Sequence, residues 1–239
     1  MANTEVSYGD RLLRGRDMQT ATVGFSPAFA PVDSTLGAAS FLTFLDGLDT
    51  LNTEVGTLLG QYTTGVAQRT PMVEDIKDRS LRVLSLIKSN AVWKAFLPAI
   101  KSLVDKIRGN TPKPPKPPAP GESPGSPPAK KRNKGEQSFG DIETNFEKLI
   151  ALLAGVPGYT PPAADLTVAN LTTLANDFAA KNLAMSSLGN QLGMKQKARS
   201  DAYDGDTGLR ARMKAIKEAV RSQYGSSSAE YEQVKGIAL

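Results

Sequence analysis

A chain of 239 residues suffices for one large domain or two smaller ones, and its 40% apolar and 22% charged content is that of a globular protein, not a disordered one. It contains neither cysteine nor histidine, which excludes disulfides, thiolate chemistry, ordinary zinc sites and the Ser-His-Asp or Cys-His nucleophile. The net charge of +5 is unevenly placed: residues 1–108 carry twelve basic and eleven acidic side chains, residues 138–239 eleven of each, so the excess falls in the segment between them.

Residues 1–33 open with a stretch, Met1 to Arg16, that has only the Leu12-Leu13 pair as an apolar run and so lacks the apolar core of a secretory signal, and they go on to "TATVGFSPAFAPVD". That stretch mixes β-branched and aromatic residues with Gly24, Pro27 and Pro31, which predicts an extended arm unable to fold alone. Val23, Phe25 and Phe29 are its candidate partner-binding residues, because a disordered tail is usually poor in such side chains. The arm would be a tail, a strap across its own bundle, or an element donated to a neighbouring subunit.

The first helical half spans residues 34–108. Phe41, Leu48, Val55 and Tyr62 recur every seven residues with Phe44, Leu51 and Leu58 between them, predicting one amphipathic helix over about 36–68, roughly 50 Å long. Asp33 or Ser34 would cap it, and Thr70-Pro71 would end it, because the residue before proline is pushed out of the helical region. A second helix from Pro71 carries Ile76, Val83, Leu84 and Ile87. Ser89-Asn90 marks a break before "AVWKAFLPAIKSLVDKIRG", in which Pro98 would introduce a kink.

Residues 109–137 hold nine prolines, and their six cations, Lys113, Lys116, Lys130, Lys131, Arg132 and Lys134, face only Glu122 and Glu136. Proline removes backbone donors and fixes φ, so this Pro/Lys-rich linker reads as a polyproline-like spacer. Its P-x-x-P spacing (Pro112, Pro115, Pro118) also matches SH3-type ligands, and "AKKRNK" matches anion-binding or nuclear-localisation clusters. A solubilising spacer accounts for both.

The second helical half spans 138–239: a helix from Ser138 to Ala154, a long helix over about 163–203, a "DGDTG" turn with Asp206 as N-cap, a helix bearing Leu209, Met213, Ile216 and Val220, and a short closing helix with a Ser227-x-x-Glu230 capping box. At an offset of 130 residues Leu36, Ala39, Thr43, Asn52, Leu58, Gln61 and Arg69 match Leu166, Ala169, Thr173, Asn182, Leu188, Gln191 and Arg199. The apolar positions 41, 44, 48, 55 and 62 match apolar residues 171, 174, 178, 185 and 192 as well. The expectation is an all-α fold in which two duplicated helical-hairpin halves pack into a four-helix-like bundle, with an extended N-terminal arm and a Pro-rich linker.

Candidate sites are few. Asn52 and Arg69, repeated as Asn182 and Arg199, are polar residues within apolar stripes and would fix helix register. "DAYDGDTG" departs from a calcium loop in spacing and lacks its closing Glu. Glu143 and Glu147 share a helical face, but di-iron bundles also need E-x-x-H. With no phosphate-binding loop either, the sequence names no catalytic residue, metal ligand or cofactor site. Lys195, Lys197, Arg199, Arg210, Arg212, Lys214, Lys217 and Arg221 form the one dense basic run outside the linker, diluted by acids.

"QSFGDIETNFEKLIALLAGVPGYTP", the Pro/Lys-rich segment before it and the closing "YGSSSAEYEQVKGI" resemble uncharacterised helical proteins of Bacteroidota-type bacteria. The resemblance implies a bacterial, all-helical, non-catalytic protein and carries no activity. The sequence reading is therefore a non-enzymatic structural or interaction protein, a subunit of a homo-oligomer or larger assembly, cytoplasmic and without membrane insertion. The alternative is a nucleic-acid-associated protein using the basic linker and the 195–221 face.

Overall fold

Apolar periodicity decides where the helices lie, and end groups decide where they stop. The structure, a computed structural model, describes residues 2–110 and 138–239, with side chains from Tyr8 onward. The P-x-x-P and "AKKRNK" motifs lie outside the described residues. Among those residues the fold is all-α, built from α1 (Ala2–Val23), α2 (Ala38–Ser89), α3 (Leu97–Arg108), α4 (Phe139–Ala154), α5 (Val168–Asp204), α6 (Leu209–Tyr224) and α7 (Ala229–Lys235), with short 3-10 turns before α2, α3 and α5. No single helix among them is long and apolar enough to cross a membrane.

Several ends follow from side-chain chemistry. Ser138 accepts the Asp141 N–H at 3.1 Å while the Asp141 carboxylate accepts the Ser138 N–H at 3.3 Å, a reciprocal box at the start of α4. Asp33 accepts the Thr35 N–H at 2.9 Å, and Asn90 accepts the Val92 N–H at 2.9 Å. Pro98 sits in the first turn of α3, where its missing N–H costs nothing, so it starts a helix and does not kink one. Two expected caps are displaced: α6 is preceded by Gly208 and not capped by Asp206, and the closing helix is capped by Ser228, whose hydroxyl accepts the Tyr231 N–H at 3.1 Å, in place of Ser227.

Two larger expectations are corrected. Residues 2–23 form a helix, leaving only the stretch from Gly24 to Asp33 as a non-helical strap. The stripe of α1 is Tyr8, Leu12, Met18 and then Phe25, with Gly15 and Thr22 buried between them, so two of its inward positions carry no large apolar side chain. Further on, α2 does not end at Thr70 but runs 52 residues through Pro71. A helix-interior proline costs about 3 kcal/mol. Burial of Val73, Ile76, Val83 and Ile87 in the turns that follow offsets this at about 1.5–3 kcal/mol each.

The chain divides into two compact units, and neither is one of the expected halves. Unit 1 comprises residues 1–62 and 188–239; unit 2 comprises residues 63–187. The physical reason is continuity: α2 and α5 each begin in one unit and end in the other. Unit 1 thus joins α1 and the start of α2 to the end of α5, α6 and α7, around Met18, Phe41, Leu45, Tyr203, Ile216 and Val220. Unit 2 joins the end of α2 and α3 to α4 and the start of α5, around Ile76, Ile100, Ile107, Phe146, Leu149 and Phe178.

Several apolar positions matched at the 130-residue offset share their burial. Phe41 and Leu171 are both fully buried, as are Leu48 and Phe178 to within 2%, and Val55 pairs with Met185 at 0% and 3% exposure. Each unit also holds a strap. In unit 1, Phe25 meets Tyr224 edge-on at 5.4 Å, the Tyr224 hydroxyl donates to Pro27 O at 2.6 Å, and Gln223 bonds both Ala28 O and the Ala30 N–H. In unit 2, the Trp93 indole N–H donates to Pro157 O at 3.1 Å and its ring lies 5.5 Å from Tyr159.

Candidate functional site

Each unit contains a polar cluster, built on buried Tyr203 and Arg199 in unit 1 and on half-buried Arg69 and Asn182 in unit 2, and the two use residues that the sequence had paired. In unit 1, Tyr203 near the end of α5 is fully buried, and its hydroxyl accepts the Asn52 side-chain N–H of α2 at 2.8 Å. Tyr8 of α1 packs edge-on to Tyr203 with ring centres 4.7 Å apart. The buried Arg199 guanidinium lies 4.5 Å from the Tyr8 ring centre. Arg11 stands 5.1 Å from the Tyr203 ring centre and donates to Tyr203 O at 3.1 Å and to the Asp204 carboxylate at 2.7 Å. Burial pushes the Tyr203 phenol upward, while the Asn52 hydrogen bond and the charges of Arg11 and Arg199 pull against it.

In unit 2, the Arg69 guanidinium of α2 lies 3.4 Å from the centre of the Phe139 ring and donates to the Asn182 side-chain oxygen of α5 at 3.4 Å. Asn182 donates in turn to Glu143 at 2.7 Å and to Phe139 O at 3.5 Å. A guanidinium over an aromatic face, with an amide beside it, is the common element of the two clusters. Asn52 and Arg69 belong to one long helix but serve different units, each with partners from the second half. All four residues expected to form a polar core are buried or half-buried, and the sequence comparison missed their aromatic partners Tyr8 and Phe139. Those two stand 131 residues apart, one out of step with the offset of the long helices.

These arrangements bind side chain to side chain. Glu143 is spent on Asn182, Asp204 on Arg11 and Asp201 on Lys197 at 2.7 Å, so two of the three carboxylates of the calcium-like stretch are engaged with cations. Among the described residues there is no group of three or more Asp, Glu, His or Cys placed to hold a metal ion. An open depression of about 530 Å³ in unit 1 is bordered by Asp49, Thr53, Thr57, Gln61 and Lys195. Its Lys195 bridges to Glu54 at 2.6 Å, and Thr53 donates its hydroxyl to Asp49 O at 3.0 Å. The sequence held no signal for this depression beyond a run of threonines.

The arm residues do not form a free partner surface. Phe25 is 8% exposed and Phe29 packs onto the core of unit 1, because the strap is fastened to α6; Val23 alone, at the end of α1, is exposed. Nor do the eight basic residues of 195–221 form one open face. Lys195 and Lys197 are in ion pairs, and Arg199 is buried. Arg212 lies 4.2 Å from the Phe44 ring centre and donates to Thr207 O and Thr35 O. Lys217 donates to Lys235 O and Ile237 O at 3.0 and 2.6 Å, fastening the end of α7, and burial lowers its pKa. Arg221 is 3.8 Å from Glu218, which leaves Arg210 and Lys214 as exposed members with no such contact described.

No protein-family model, curated protein or solved structure matches this chain.

Proposed function

We propose that this is a non-enzymatic structural or interaction protein, a helical subunit that acts by self-association or within a larger assembly. One observation carries the reading: within each unit the polar side chains of the cluster meet other side chains of the same unit, guanidinium over ring and amide against phenol or carboxylate. That is the chemistry of fixed helix register, in which a polar contact inside an apolar interface selects one alignment over its neighbours. Contact points for partners are supplied by exposed apolar side chains, Leu13, Val23, Val32 and Met194 in unit 1 and Val92 and Leu183 in unit 2.

Light scattering coupled to size exclusion tests this directly. The expected mass exceeds the 25.4 kDa of one chain and rises with concentration, and replacing Leu183 and Met194 together by Glu lowers it. A mass of one chain at every concentration overturns self-association. The nucleic-acid alternative predicts retention of DNA or RNA that falls steeply with salt; its folded basis is reduced by the ion pairs and burial of the 195–221 residues.

A further inference from the structure

Each compact unit is closed by contacts between the half-chain 2–110 and the half-chain 138–239. In unit 1, α1 packs against α6 and α7, Arg11 pairs with Asp204, Asn52 bonds Tyr203, and Tyr224 and Gln223 fasten the strap. In unit 2, α3 packs against α4, Arg82 forms a two-pronged pair with Asp165, Arg69 bonds Asn182, and Trp93 bonds Pro157 O. Taken alone, residues 2–110 would expose Phe41 and Val55 at one end of α2 and Ile76, Ile100 and Ile107 beyond it, all fully buried in the complete chain. A half-chain of that kind has helices but no core of its own.

The recurring polar pairs show how the two half-chains fit. Asn and Arg stand 17 residues apart in both, at 52 and 69 and at 182 and 199. The first half's Asn enters the cluster containing the second half's Arg199, and the second half's Asn182 receives the first half's Arg69. That reciprocity is the rule of a two-fold interface, in which residue i of one partner meets residue j of the other and j meets i. We infer that the protein is an interlocked pair of half-chains, each the obligate folding partner of the other, and that residues 111–137 act as a tether whose contribution is local concentration. This inference stands apart from the proposed self-association, since it concerns one chain only.

A tether of this kind supplies an effective concentration on the order of millimolar for the second partner, and cutting it converts an intramolecular fold into a bimolecular one. The test is a full-length chain carrying a specific protease site between Gly121 and Gly125, purified intact and then cleaved. The expected result is that both fragments co-elute at the mass of the uncut protein with unchanged helix content. Their thermal midpoint falls with each tenfold dilution, whereas the midpoint of uncut protein does so less or not at all. Two results overturn the inference: fragments that separate yet stay helical with dilution-independent midpoints, which would make each half self-sufficient, or fragments that stay apart and unfolded when remixed well above the roughly millimolar concentration the tether supplies, which would give residues 111–137 more than a concentrating role. Light scattering on uncut protein is measured first, so failure of self-association is read independently of failure of the interlock.

Discussion

Among the tyrosines, three carry phenols whose ionisation is opposed by their surroundings. Burial holds Tyr159 up to about 12, and burial also raises Tyr203 and Tyr224. Tyr159 donates its hydroxyl to Leu166 O at 3.0 Å, a bond that the phenolate cannot make. A raised phenol pKa stabilises the fold below the ordinary value of about 10, and that contribution is lost as pH rises through the folded value. Spectrophotometric titration of the intact protein is therefore expected to show a late phenolate step near 12, and Tyr159→Phe to remove it and flatten the alkaline fall in stability; an unaltered titration would count against the assignment. At this scale the sequence exposed the polar residues but not their neighbours. Asn52, Arg69, Asn182 and Arg199 stand out because they interrupt apolar stripes, whereas Tyr8 and Phe139 gain their role only from where α1 and α4 pack.

Along single elements, local chemistry was readable in part: the Ser89-Asn90 break and the turn after Asp204 are written in adjacent residues, whereas the caps of α6 and α7 fall on Gly208 and Ser228 and not on Asp206 and Ser227. The larger errors arose where distant packing overrode a local rule. Proline 71 should stop a helix, yet α2 continues because the turns beyond it bury their apolar side chains. Pro71→Ala restores the N–H that would bond Ala67 O and removes the ring clash, so it is expected to raise stability by up to about 3 kcal/mol in urea denaturation. A loss of stability would mean that the proline suits a local bend. The α1 helix was missed for the opposite reason: Gly15 is a buried, inward position, where a β-carbon would stand 2.7 Å from the tip of the Leu45 side chain, and a glycine adds nothing to an apolar stripe.

For the molecule as a whole, the helical class followed from periodicity, but the composition of the two units did not. Internal likeness between the halves suggested two separate hairpins packing side by side, and only the passage of α2 and α5 from one unit to the other shows that each unit borrows from both. Tyr8, Leu12, Met18 and Phe25 are accordingly part of a core and not of an appendage. Deleting residues 1–33 removes Met18 and Phe25 from unit 1, so the expected outcome is a lower thermal midpoint with exposed apolar surface, read by dye binding. An unchanged midpoint would return those residues to the status of a tail. The strap that follows α1 carries one more consequence, for tolerance to mutation. Its fastening grips the main chain at Pro27 O, Ala28 O and the Ala30 N–H. Sequence drift at residues 28 and 30 should accordingly be nearly silent, while the information that holds the strap in place is stored almost 200 positions away, in Gln223 and Tyr224.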